Sequence, residues 1–150
     1  MSKQLLSLWP EDLAGAKLTP KKILEEQARE LEKLTAKRLR GSVTRVVNQS
    51  MVHLSFEIIA DQLEYTHRLF EVTHGTQLVY PVHLKFSQEV FPSYNQEQPP
   101  TSEIECADDS AFMERLADVL RSSRTKEIVT SLLARIDELR EENGVSGVGD

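Results

Sequence analysis

The chain has 150 residues, 39% of them hydrophobic and 28% charged, with a formal net charge of −6. That length fits one domain whose core needs no metal or disulfide staple, and that balance excludes a disordered chain. The acidic excess argues against a uniform nucleic-acid coat, and the lone cysteine, Cys106, permits no internal disulfide, which fits a reducing compartment.

Residues 1–18 form an apolar lead in which Leu5, Leu6, Leu8 and the only tryptophan, Trp9, precede Pro10. Two readings stand: an arm packed on its own domain, or a docking segment for a partner, because Trp is enriched in binding hot spots. The lead lacks the long apolar core of a secretory signal, and no apolar run approaches the ~18 residues needed to span a bilayer. The expected address is the cytoplasm.

The domain proper is expected over 19–142. Thr19 and Pro20 open a helix as N-cap and first helical residue. Ile23, Leu24, Gln27, Ala28, Leu31, Leu34 and Thr35 recur at three- and four-residue spacing, so this stripe should lie across the sheet. Lys37, Arg38 and Arg40 complement the dipole at the helix end, and Gly41 is the expected stop. A short strand over 42–48 then turns at 48–50.

The stretch 51–86 organises the chain. Val52, Leu54, Phe56 and Ile58 alternate with His53, Ser55, Glu57 and Ile59, and Leu78, Tyr80, Val82, Leu84 and Phe86 alternate with Val79, Pro81, His83 and Lys85. One apolar and one mostly polar face is the pattern of an antiparallel sheet covered on one side. Between them, over 63–73, Phe70 and Val72 agree on an inward face while Tyr65 and Leu69 take the other parity, and a bulge near 66–68 would reconcile them. A turn over 74–77, with Gly75 supplying positive φ, leads to the last strand, which Pro81 places at an edge or a bulge.

Residues 87–109 read as a long acidic loop. It carries Pro92, Pro99 and Pro100, the carboxylates Glu89, Glu97, Glu103, Glu105, Asp108 and Asp109, and no Lys or Arg. Asp108, Asp109 and Ser110 can cap a helix running to about Ser122, with Phe112, Leu116, Val119 and Leu120 as its stripe. A last helix, marked by Ile128, Val129, Leu132, Leu133, Ile136 and Leu139, should end at 141–144, with a disordered tail over 143–150. The expected fold is α+β: an N-terminal helix, a four-stranded antiparallel meander, and two C-terminal helices packed on one sheet face.

No catalytic or cofactor motif is present. His53, His67 and His83 fall on the predicted polar face with Glu57, Glu71 and Lys85, but no H-E-x-x-H and no Cys/His ligand spacing occurs. No metal and no cofactor are expected. The glycine-rich tail has no strand before it and no helix after it, so it is not a phosphate cradle. Around Cys106, Glu103, Glu105, Asp108 and Asp109 disfavour a thiolate.

The resulting expectation is a non-enzymatic protein–protein interaction module, such as an inhibitor, an immunity protein or an accessory subunit of a larger complex. Its binding features are Trp9, the polar face with His53, Glu57, His67, Glu71, His83 and Lys85, and the acidic residues Glu103, Glu105, Asp108 and Asp109. One alternative is a small enzyme using His53, Glu57, His67, Glu71 or His83. Another is a nucleic-acid-binding module using Lys37, Arg38 and Arg40 on the first helix, although Glu25, Glu26, Glu30 and Glu32 interrupt its positive stripe. Self-association through an uncovered strand edge or the last helix is a further option.

Overall fold

The computed structural model describes residues 7–10, 13, 18–87 and 101–148. The chain runs α1 (Pro20–Leu34), β1 (Arg40–Asn48), β2 (Met51–Ala60), β3 (Tyr65–Gly75), β4 (Val82–Ser87), β5 (Thr101–Cys106), α2 (Asp109–Leu120) and α3 (Ser123–Val148). The five strands form one antiparallel sheet in the order β1-β2-β3-β4-β5. It is an α+β fold with the helix, sheet, helix, helix order that the patterning predicts, and with one more strand.

The extra strand is β5, in the part of the chain expected to be an acidic loop. Its inward residues are only Ser102, Ile104 and Cys106, opposite Phe86, Leu84 and Val82. Two apolar residues among Glu103, Glu105 and Ser102 make a weak period-two signal, and pairing with buried β4 supplies what propensity does not. Of the expected loop, 88–100 lie outside the described residues.

Alternation decides the core. Val52, Leu54, Phe56, Ile58 and Ala60 of β2 are buried, as are Phe70 and Val72 of β3 and Val82, Leu84 and Phe86 of β4. Ile23 and Leu24 of α1, Phe112, Leu116 and Val119 of α2, and Leu132 and Ile136 of α3 complete the same cluster. All three helices therefore cover one face of the sheet. Each such side chain contributes on the order of 2 kcal/mol by leaving water.

Capping follows the sequence closely at the helix starts. Thr19 Oγ1 accepts from Lys22 N at 3.3 Å with Pro20 in the first turn, and Asp108 Oδ1 accepts from Ala111 N at 2.8 Å. Ser122 Oγ accepts from Thr125 N at 3.3 Å and separates α2 from α3. The stop expected at 141–144 is passed, because α3 continues to Val148. A glycine lowers helix propensity by about 1 kcal/mol, and a helix already nucleated tolerates that. Residues 149 and 150 lie outside the described residues.

The end of α1 differs from expectation. It stops at Leu34, and Lys37, Arg38 and Arg40 are not on it. The Thr35 hydroxyl donates to Leu31 O at 2.8 Å and accepts from Leu39 N at 3.2 Å, while Ala36 and Lys37 take positive φ (51° and 64°). No glycine marks this reversal. Buried Leu39 and the doubly used Thr35 hydroxyl hold it instead. Leu34, counted in the buried stripe, is 81% exposed.

The β3 bulge is real, but it sits at Leu69: Phe56 pairs with Phe70, and the next pair is Glu57 with Arg68. The strand expected from Leu78 begins only at Val82. Leu78 is exposed, and Pro81, joined to Tyr80 by a cis peptide bond, lies outside β4. Pro81 therefore marks no edge strand, since β4 lies between β3 and β5. Gly75 ends β3 rather than forming the turn.

Tyr80 ties the start of α1 to this region. Its hydroxyl donates to Leu18 O at 2.6 Å, and Asp109 Oδ2 accepts from Leu18 N at 3.2 Å. Burial, then Asp109 and Asp108, push the Tyr80 phenol from its ordinary 10.0 up to about 12. The folded state thus holds the phenolic proton more tightly than the unfolded chain. The stability this contributes is fully present below pH 10 and is lost as pH rises from there through about 12. Chemical denaturation across that window should show stability falling with pH, and Tyr80→Phe should remove that slope. An unchanged slope in Y80F would assign it to other groups.

Candidate partner-binding face

No helix covers the other face of the sheet among the described residues, and the register places its side chains in rows. One row runs Val46, His53, Thr73, His83, Glu105 across all five strands, and the next runs Thr44, Ser55, Glu71, Lys85, Glu103. A third, shorter row runs Ser42, Glu57, Arg68. Directly paired residues share a face, so each row is a line of neighbouring side chains.

Contacts link the rows diagonally. His53 Nδ1 lies 2.8 Å from Glu71 Oε1, and His83 Nδ1 lies 3.3 Å from Glu103 Oε1. The Thr44 hydroxyl donates to Glu57 Oε1 at 3.2 Å. These side chains are partly exposed, and such pairs add little to stability. What they provide is fixed placement: each polar group stands on a strand backed by packed core, which holds its orientation.

Of the residues singled out from sequence, His53, Glu57, Glu71, His83, Lys85, Glu103 and Glu105 meet on this face. Glu103 and Glu105 reach it as part of β5 rather than as a loop. Arg68, Ser55 and Thr44 belong to it as well, and Thr73 lies in the same rows but is buried. Arg68 and Thr73 were hidden by the unresolved register of β3; Ser55 and Thr44 had no charge to draw notice.

His67 does not belong to it. It pairs with Ile58, whose side chain is buried under the helices, so the bulge at Leu69 turns His67 to the helix side. There it stacks beside Tyr65, whose hydroxyl lies 3.3 Å from His67 Nδ1, in a hollow bordered by Glu127, Ile128 and Arg135 of α3. An enzyme built on His53, Glu57, His67, Glu71 and His83 needs these groups to converge, and the sheet separates His67 from the other four. Among the described residues no group of three or more His, Cys, Asp or Glu side chains is arranged to hold a metal ion.

Asp108 and Asp109 are occupied locally, as the α2 cap and as the acceptor for Leu18 N. Trp9 is 75% exposed, and Leu5 and Leu6 lie outside the described residues. The cations proposed for nucleic acid are spread over a turn and a strand. Arg38 Nη1 donates to Asp137 Oδ1 at 2.6 Å, and Arg40 binds both Asp61 carboxylate oxygens, at 2.9 and 3.2 Å. The Cys106 thiol is fully buried, and burial foremost raises its pKa, with Asp108 and Glu105 adding to the rise and Arg115 opposing it. No described helix is long and apolar enough to cross a membrane. No family model, curated protein or solved structure matches this chain.

Proposed function

We propose that this protein is a non-enzymatic protein-binding module, acting as an inhibitor, an immunity protein or an accessory subunit, and that the open sheet face is its recognition surface. One observation carries the reading: His53, Glu57, Glu71, His83, Lys85, Glu103 and Glu105 stand together on one uncovered face of a sheet whose other face is packed under three helices. On that face the carboxylates of Glu57, Glu71, Glu103 and Glu105 outnumber the cations Arg68 and Lys85, so the complementary partner surface is basic.

The test pairs affinity capture from the native source with a triple variant, Glu71→Ala, His83→Ala and Lys85→Ala. The wild-type chain should retain one stoichiometric protein, and the variant, with its melting temperature unchanged, should bind it about tenfold more weakly, the loss of roughly 1.4 kcal/mol that truncating a recognition centre brings. Association with the partner should also slow as salt is raised. Equal binding by the triple variant would remove this face from the function.

A further inference from the structure

The sheet has two edges, β1 and β5, and β1 is the longer one. Its nine residues pair with β2 in unbroken register, and among the described residues no strand pairs with its outer side. Edge strands are ordinarily protected by charged side chains, proline, a bulge or a short length. β1 has no proline and no bulge, and it is nine residues long. The charges in its sequence, RGSVTRVVN, are Arg40, which is held by Asp61, and Arg45, which stands opposite Leu54 on the helix side, and its half from Thr44 to Asn48 is exposed. Val46 is 55% and Val47 47% exposed, on opposite faces of the sheet.

We propose that β1 pairs with β1 of a second copy of this chain, antiparallel about a two-fold axis at Thr44, so that two five-stranded sheets join as one. This does not depend on the function proposed above. Three features favour a second copy as the occupant. First, pairing centred on Thr44 uses all nine residues and keeps inward residues opposite inward ones, so both sheets present their open faces on the same side. Second, it sets Arg40 opposite Asn48 and Arg45 opposite Val43, so no arginine meets an arginine. A shift centred on Arg45 would place the two guanidiniums together.

Third, it completes a surface that one chain leaves unfinished. On the helix side, α1 presses on β1 at Gly41, where Ala28 lies against the glycine, but Val47 further along is half-exposed. In the paired arrangement Val47 faces the partner's Gly41. The exposed valine of one strand is thereby brought beside the α1 that covers that glycine.

The full chain should sediment at micromolar concentration with twice the 17.1 kDa mass of one copy. Thr44→Glu places two carboxylates on the axis beside the two Glu57 carboxylates, and it should return the protein to a monomer with unchanged circular dichroism. Thr44→Cys should cross-link into a covalent dimer under mild oxidation, because residues facing each other across an antiparallel pair lie within disulfide reach. The buried native Cys106 gives no background. Thr66→Cys, exposed on β3 and away from the β1 edge, should not cross-link. A wild-type chain that stays monomeric overturns the proposal, as does a T44E protein that remains dimeric or a T44C protein that cross-links no faster than T66C. Loss of a heterologous partner by T44E from a monomeric wild-type chain would assign the edge to a strand of that partner and would also overturn it.

Discussion

Phe56→Ala is expected to cost about 4 kcal/mol of folding free energy, a large share of the 5–15 kcal/mol typical of a domain. Phe56 is 2% exposed on β2, second from the edge of the sheet. Its ring stacks on Phe70 with centroids 5.1 Å apart and planes inclined by 6°. It also floors a groove walled by Leu31 of α1, Leu69 of β3, and Leu120 and Val129 of the C-terminal helices. Removing the ring leaves a cavity that no single neighbour can fill, because the strand pairings and three helices fix its walls. It also removes the partner of Phe70 beside the bulge, where the β2–β3 register is set. Chemical denaturation should show a lower midpoint with an unchanged slope. A loss below about 2 kcal/mol would mean that the groove collapses onto the space, and the helices would then be less firmly placed than the packing implies.

Gly41→Ala is expected to cost about 3 kcal/mol. A Cβ at this position would lie 2.7 Å from both Cα and Cβ of Ala28 and 3.0 Å from Phe56 Cζ. The first obstacle is helix backbone, so relief requires α1 to lift from β1. Gly41 is therefore explained by close approach of two backbones rather than by a special dihedral angle. Ala28→Gly in the same chain should recover part of the loss by clearing one of the two clashing atoms, and a double-mutant cycle should give a coupling of about 1 kcal/mol. Additive losses would show that the helix had already moved.

Legibility varied with how much each residue reports about its surroundings. In β2 every buried position is apolar, and each outward position but Ile59 is polar or at the tip, so period two was plain. The β3 register was not, because one residue, Leu69, reverses the parity of everything before it. No propensity distinguishes Leu69 as the residue left unpaired, and so His67 was placed on the wrong face. β5 was hidden by its own function in the sheet: the outward glutamates that place it on the open face are what made it read as loop. At the end of α1, the cations resembled a dipole complement, but Arg38 and Arg40 serve Asp137 and Asp61, partners far away in sequence. Of the candidate face, the charged members on clean strands were legible, and their assembly into rows was not, since register is a tertiary property.

The strand order has a kinetic consequence. Each strand neighbours only those next to it in sequence, so no pairing waits for a distant segment of chain. The hairpin closed by Gln49 and Ser50 needs the least loop entropy and offers the earliest nucleus, and β3 can add to its finished edge. The costliest closure is the connection between Ser87 and Thr101, which must form before β5 is laid down and α2 has its place to pack. A chain emerging N-terminus first would thus meet its contacts in the order it is made, with β5 and the C-terminal helices as the closing, cooperative step.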